Sequence, residues 1–231
     1  MNLDRIVTIL RCSILVHLRC FNSILLKHSG QRAESLAPSK SPFIFGAMEK
    51  PPLEIVRSLL ADHTPADASE TDSLRRINEL VATGEAPFSR AHYVPGHLTA
   101  SAIVLDDSRE HVLLIFHAKL HLWLQPGGHF DAGECDPSIA AAREVLEETG
   151  LTARPAVSPS VLHDVDVHSI PARKTEPQHF HFDLRMFMLS PRLPVAPGDD
   201  GVAAARWVGR DEAFSMNLDP GLQRALRKIW K

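Results

Sequence analysis

Glu144, Glu147 and Glu148 stand at i, i+3 and i+4 within residues 127–151, GGHFDAGECDPSIAAAREVLEETGL. If that stretch is helical, 3.6 residues per turn puts all three carboxylates on one face. Like charges at i, i+4 repel, and the C-terminal end of a helix is already the negative pole of its dipole. Such a cluster calls for a cation. Arg143 can reach Glu147 at i, i+4 and neutralise one charge, which leaves Glu144 and Glu148 facing the same space. A hard divalent ion is the natural partner for those two, because Mg²⁺ is held by one or two carboxylates together with waters and substrate phosphate oxygens. The plainer reading of three helical glutamates is a solvated acidic face. The adjacent glycine pair, the arginine and a well-capped helix weigh against it.

The helix that must carry these groups is predicted residue by residue. Asp136 is a good N-cap, Pro137 fits the first helical position, and Gly150 is placed to end the helix. Ile139, Ala142 and Leu146 are expected to form its apolar stripe, over a span of about 137–149. Gly127 and Gly128 are expected to let the backbone turn sharply beneath it.

Taken together, these residues resemble the signature of the Nudix hydrolases. Gly128 stands as its first glycine, Glu134 as its isolated glutamate, and Arg143-Glu144 as its central pair; Val145 is the aliphatic position, Glu147-Glu148 the acidic pair and Gly150-Leu151 the end. One departure is an extra residue: eight, 135–142, separate Glu134 from Arg143 where the signature has seven. It falls at or before the helix start, where it changes the loop without rotating the carboxylates on the helix. The resemblance implies a metal-dependent pyrophosphohydrolase that uses Mg²⁺ or Mn²⁺ to cleave a diphosphate linkage in a nucleoside diphosphate derivative or similar small molecule. Glu144 and Glu148 are then the first-choice metal ligands, with Glu147 as a third ligand or a water-orienting base. Glu147, Glu144 and Arg143 form the catalytic set, Arg143 serving to orient the glutamates, and Gly128 lies on the substrate side. Nucleotide sugar, dinucleoside polyphosphate and damaged nucleotide all stay open as substrates. The alternative is a catalytically inactive Nudix-fold ligand-binding module, motivated by the extra residue alone.

A second constellation is His179-Phe180-His181-Phe182-Asp183-Leu184-Arg185. In a strand, His179, His181, Asp183 and Arg185 share one face and the apolar residues the other. The polar face either lines the site, with His179 and His181 as substrate or metal ligands and Glu176 in the preceding loop as an extra base, or is half-exposed and solvated. Asp164, Asp166 and His168 alternate with Val165 and Val167 in the same way. There are 13 histidines, but HxH occurs once and no cysteine pair stands near it, so no spacing compels zinc.

Around these groups, mixed strands and helices without regular alternation point to an α+β chain. The resemblance makes it a Nudix-type α/β/α sandwich with a mixed β-sheet, preceded by a short helical N-terminal segment. Strands are predicted at 98–106, 112–116, 121–125, 161–170, 179–189 and 203–208, with helices from about 53 to 60, from 71 to 83 and from 220 to 230. Three regions are expected: 1–47, a leader or extension; 48–92, helical; and 93–231, the Nudix domain. Residues 1–47 carry six basic residues against two acidic, and their apolar runs are broken by Arg11 and Arg19. A targeting or membrane-surface helix remains open, but an extension without a folded role is favoured by the linker-like SLAPSKSP at 35–42.

With 231 residues, 44% hydrophobic and 23% charged, the chain is far from the composition of disorder. A net charge of -3 offers no footprint for a nucleic acid polymer. No uninterrupted apolar run approaches the roughly 20 residues of a membrane span. Three widely spaced cysteines exclude a disulfide framework and point to a reducing, cytoplasmic compartment. The expected partner is a small-molecule diphosphate, with no membrane. The oligomeric state is open, a homodimer being one option.

Overall fold

A strand of eleven buried residues, Gly96–Asp106 (β1), runs through the centre of the molecule. The computed structural model describes residues 52–84, 87–173, 176–198 and 201–231, all within one unit, Glu49–Lys231. The expectations for residues 1–47 lie outside the described residues.

Among the described residues two helices come first, Pro52–Ala61 (α1) and Ala68–Thr83 (α2), the latter capped by Asp67 and closed by Gly84 in the left-handed region. The strands after β1 are His111–His117 (β2), Leu122–Leu124 (β3), Gly127–His129 (β4), Arg154–Pro155 (β5), Leu162–Ile170 (β6), His179–Ser190 (β7) and Val202–Gly209 (β8). The helix Pro137–Thr149 (α3) lies between β4 and β5, and Arg210–Ser215 (α4) and Pro220–Ile229 (α5) end the chain.

One eight-stranded mixed sheet results, with the central order β3-β2-β1-β7-β5; β4 pairs with β1, β6 with β7 and β8 with β2. The β1–β2 hairpin is held by Asp106, whose carboxylate accepts the amides of Glu110 and His111. β1 and β7 are parallel over their whole length, from Gly96 opposite Phe180 to Asp106 opposite Ser190. A Cβ at Gly96 would sit 1.9 Å from the Phe180 carbonyl oxygen, and its φ of +152° disfavours any side chain. Gly96 therefore permits the register.

Alternation divides β1 between two cores. Leu98, Ala100, Ala102 and Val104 face a core closed by α1, α2 and α3, while Ile103 and Leu105 face one closed by Leu222, Ala225 and Leu226 of α5. Layers of helix, sheet and helix make the α/β/α sandwich that the sequence leads one to expect.

Candidate metal and phosphate site

The helix α3 has the predicted bounds and caps: the Asp136 carboxylate accepts the Ser138 amide at 2.8 Å, and Gly150 takes the left-handed conformation. Its apolar stripe is not the predicted one. Leu146 is 48% exposed, and the buried face is Ala140, Ala141 and Val145. The sheet beneath is floored by Ala100 and Ala102, and small residues on both sides let helix and strand approach closely, so the larger Leu146 is turned to solvent.

The three glutamates point to different places. Glu148 is buried, and its Oε2 accepts the Gly127 amide at 3.0 Å. Glu144 lies against Gly128, where a Cβ would stand 2.6 Å from its Oε1. Glu147 is the most exposed of the three. Glu144 and Glu148 thus both meet the short strand β4, one at each glycine. These glycines do not serve a sharp turn, as the sequence suggests: both are extended within β4, and they are needed for room. A Cβ on Gly127 would meet Ser101 Cβ at 2.3 Å, and one on Gly128 would occupy the space beside Glu144.

Arg143 does more than pair with Glu147. Its Nη1 donates to Glu144 at 2.9 Å and to Glu147 at 2.8 Å; its Nε and Nη2 each donate to Glu134 at 3.1 Å, and Nη2 also reaches the His129 carbonyl at 2.7 Å. Burial opposes its charge, but Glu134 and Glu144 outweigh burial and hold it firmly protonated. Burial pushes the Glu144 carboxyl above its ordinary pKa, with Arg143 pulling the other way. The extra residue before the helix leaves Glu134 in contact with Arg143, since the loop absorbs it.

A hard divalent ion suits this set. The donors are carboxylate oxygens, Glu144 carries a charge that burial disfavours, and Gly128 leaves open the space that a side chain would fill.

The second constellation assembles by register. His97, Thr99 and Ser101 of β1 stand opposite His181, Asp183 and Arg185 of β7, and these stand opposite His168, Asp166 and Asp164 of β6. Thr99 also stands opposite His129 of β4. This face is not solvated: His97, His179, Asp183 and Arg185 are buried. Asp183 accepts from Thr99 at 3.1 Å and Ser101 at 2.7 Å, and Arg185 bonds Asp183 at 3.1 Å and Asp164 at 3.2 Å. Asp164 also receives Arg224 of α5, at 2.9 and 2.7 Å.

At the end of this face the imidazoles of His97, His129 and His181 gather, with ligand atoms all within 4.8 Å of one another. Among the described residues they are the one group of three or more His, Cys, Asp or Glu so placed. Burial first, then neighbouring histidines, hold His129 down to about 4 and His181 to about 2, and depress His97 too. All three are neutral near pH 7. His97 and His129 escape the sequence reading, although His97, Thr99 and Ser101 alternate with apolar residues as His181, Asp183 and Arg185 do; that shared parity is the signal.

Of the remaining candidates, His179 donates from Nδ1 to the Pro177 carbonyl at 2.8 Å and stacks on His97 at 5.0 Å. Glu176 pairs with Arg90 at 3.7 Å. Neither is among the groups that gather around Arg143.

A family model described as NUDIX domain matches residues 95–229. Over 120 residues the chain is 32% identical to the protein named phosphatase NudJ of Escherichia coli K12, which covers 50% of this chain and 70% of that one. Among solved structures, the NUDIX domain of Shewanella oneidensis NrtR complexed with ADP ribose is similar at 18% identity and a TM-score of 0.45, over 67% of this chain and 98% of that one. A NUDIX-family hydrolase from Clostridium perfringens is similar at 21% identity and a TM-score of 0.43, over 58% and 95%.

Proposed function

The chain belongs to the Nudix family of hydrolases, and from that premise we propose that it cleaves a diphosphate linkage in a nucleoside diphosphate derivative or similar small molecule with the help of Mg²⁺ or Mn²⁺. The observation that carries this reading is the convergence of Glu144 and Glu148 on the two glycines of β4, with Arg143 binding Glu134, Glu144 and Glu147 at once. Glu144 and Glu148 would hold the ion. When bound, it supplies Lewis acidity toward the phosphate oxygens.

The chain's own groups do the positioning. Glu147, on the solvent side and anchored 2.8 Å from Arg143, is placed to orient a water or to add a third carboxylate. Arg143 acts through the glutamates and is a positioning residue. Gly128, beside Glu144, keeps the approach to the site open for a phosphate. His179, His181 and Glu176 stay as candidates for substrate contact on the neighbouring face. A cytoplasmic setting belongs to the same reading. Among the described residues no helix is long and apolar enough to cross a membrane. The inactive binding module loses its motive, because Glu134 still reaches Arg143 past the extra residue.

Glu148→Gln keeps size and removes charge. Mg²⁺-dependent cleavage of a panel of nucleoside diphosphate derivatives, read as the nucleoside monophosphate formed, is expected to fall by at least about 100-fold in that variant, with the fold intact. Undiminished cleavage would reject the assignment.

A further inference from the structure

His97, His129 and His181 come from three different strands, and their ring centroids are 5.0, 4.9 and 5.1 Å apart, close to an equilateral triangle. His97 is 1% exposed, and its Nε2 is the one buried side-chain nitrogen or oxygen among the described residues with no hydrogen-bond partner. Its Nδ1 lies 3.2 Å from the His92 carbonyl oxygen. A carbonyl only accepts, so Nδ1 carries the proton and Nε2 keeps a bare lone pair, with the His129 and His181 rings centred 5.0 and 4.9 Å from its own. Buried acceptors with nothing to accept from are rare, and an ion is one of the few things that explains one. An imidazole fixed by a bond from its far nitrogen to a backbone carbonyl is also the usual outer-shell arrangement of a metal-ligating histidine.

The chemistry of the donors selects the ion. Three neutral nitrogens with no carboxylate among them suit zinc and its neighbours, whereas Mg²⁺ and Ca²⁺ prefer oxygen. Zinc bonds imidazole at about 2.0–2.1 Å, which puts tetrahedral donors about 3.3 Å apart. To bind zinc, the present spread of up to 4.8 Å would have to close by side-chain rotations of His129 and His181, the two half-buried members. Three histidines leave a fourth position, the pattern of zinc sites that accept water or substrate. Alternation along β4 turns His129 away from Gly128 and Glu144, so this site lies across the strand from the carboxylates.

We propose that His97, His129 and His181 form a second metal site, specific for Zn²⁺ or a similar late transition-metal ion, with one coordination position open. The full-length chain, stripped with chelator and dialysed, is titrated with Co²⁺ alone and then with Zn²⁺ alone. One equivalent of Co²⁺ is expected to give the visible absorption of a tetrahedral nitrogen-ligated ion, and Zn²⁺ to abolish it by displacement. His129→Asn and His181→Asn should each weaken binding by at least about 100-fold, the upper end of what outer-shell changes cause. Glu148→Gln should bind Co²⁺ as the parent does while losing Mg²⁺-dependent turnover, which separates the two sites. The proposal is overturned if no tetrahedral spectrum develops, or if uptake persists unchanged in both histidine variants. Thermal melts identify a variant that has not folded, and His129→Asn, on a three-residue strand, then decides alone.

Discussion

The carboxylate of Glu148 accepts the amide proton of Gly127 at 3.0 Å, across 21 residues of sequence. This bond joins the last turn of α3 to the short strand β4, and Glu144 meets the same strand one residue further along. Helix and strand thus position the carboxylates together, and the two glycines carry different burdens.

Gly128→Ala and Gly127→Ala should fail in opposite ways. At Gly128 the new methyl meets the Glu144 carboxylate, the far end of a flexible side chain, which moves aside. Stability should stay within about 1 kcal/mol while turnover drops more than about tenfold and the Mg²⁺ requirement rises. At Gly127 the methyl meets the Ser101 Cα at 2.6 Å and the Ala100 carbonyl oxygen at 2.8 Å, which belong to the backbone of β1. That variant should lose about 3 kcal/mol or more. Paired melting curves and metal titrations check both; equal loss of stability in the two would contradict the assignment of roles.

Arg143→Lys is not a conservative change. A lysine has three donors on one nitrogen and cannot span Glu134, Glu144, Glu147 and the His129 carbonyl together. Turnover number should fall by about 10–100-fold with KM little altered, and lysine should rescue little of what Arg143→Ala loses. A KM effect with kcat preserved would mean that Arg143 touches substrate instead.

Acid should unfold the protein through the ion network under α5. Glu70 is fully buried and accepts from His63 at 2.8 Å, the Ala66 amide at 2.6 Å and Lys228. Burial raises its pKa, but these bonds outweigh it and leave the carboxyl well below its ordinary value of 4.5. Asp166 is likewise brought from 3.8 to about 2: burial opposes this, and His168 and Arg185 prevail. Both depressed groups contribute stability that is present above their unfolded values and is lost as pH falls through their folded ones. The neutral histidines His97, His129 and His181, held below 6.5, also oppose protonation, so Tm should begin to decline as pH falls below about 6.5 and fall further between about 4.5 and 2 as Glu70 and Asp166 protonate. Glu70→Gln should cost about 3–5 kcal/mol at pH 7 and flatten the acid limb. A Tm indifferent to pH across that window would count against the network.

Gly96→Ala tests the register that brings His97 beside His181. Its Cβ would overlap the Phe180 carbonyl oxygen, 1.9 Å away, at the first pair of the β1–β7 register. The variant should lose more than about 4 kcal/mol, read as insoluble expression or a collapsed melting transition. A soluble variant of unchanged Tm would show that the strands tolerate a shift.

What was legible in the sequence is what is decided locally. Asp136, Pro137 and Gly150 mark the ends of α3 because caps act through neighbours a few residues away. The glutamates follow from helical spacing. The burial of Ala140 and Ala141 instead of Leu146 depends on Ala100 and Ala102, which belong to another element, so the α3 stripe alone misleads. The histidine triangle depends on two strand registers at once, the β1–β7 and β1–β4 pairings, and no spacing along the chain encodes either. The polar alternations at 164–168 and 179–185 are visible as patterns, but only the β6–β7 register and the packing of α5 show that Arg185, Arg224 and Lys228 converge on Asp164, Asp166 and Asp183.

Arg143 also has a bearing on supply. Because it already satisfies Glu134, Glu144 and Glu147 from within the chain, the acidic end of α3 does not wait on an ion to become tolerable. On the proposed use of magnesium or manganese, folding should then not depend on metal loading, and a cell starved of the ion would hold this chain as an intact, idle reserve, ready for work when the ion returns, with no need to synthesise it again.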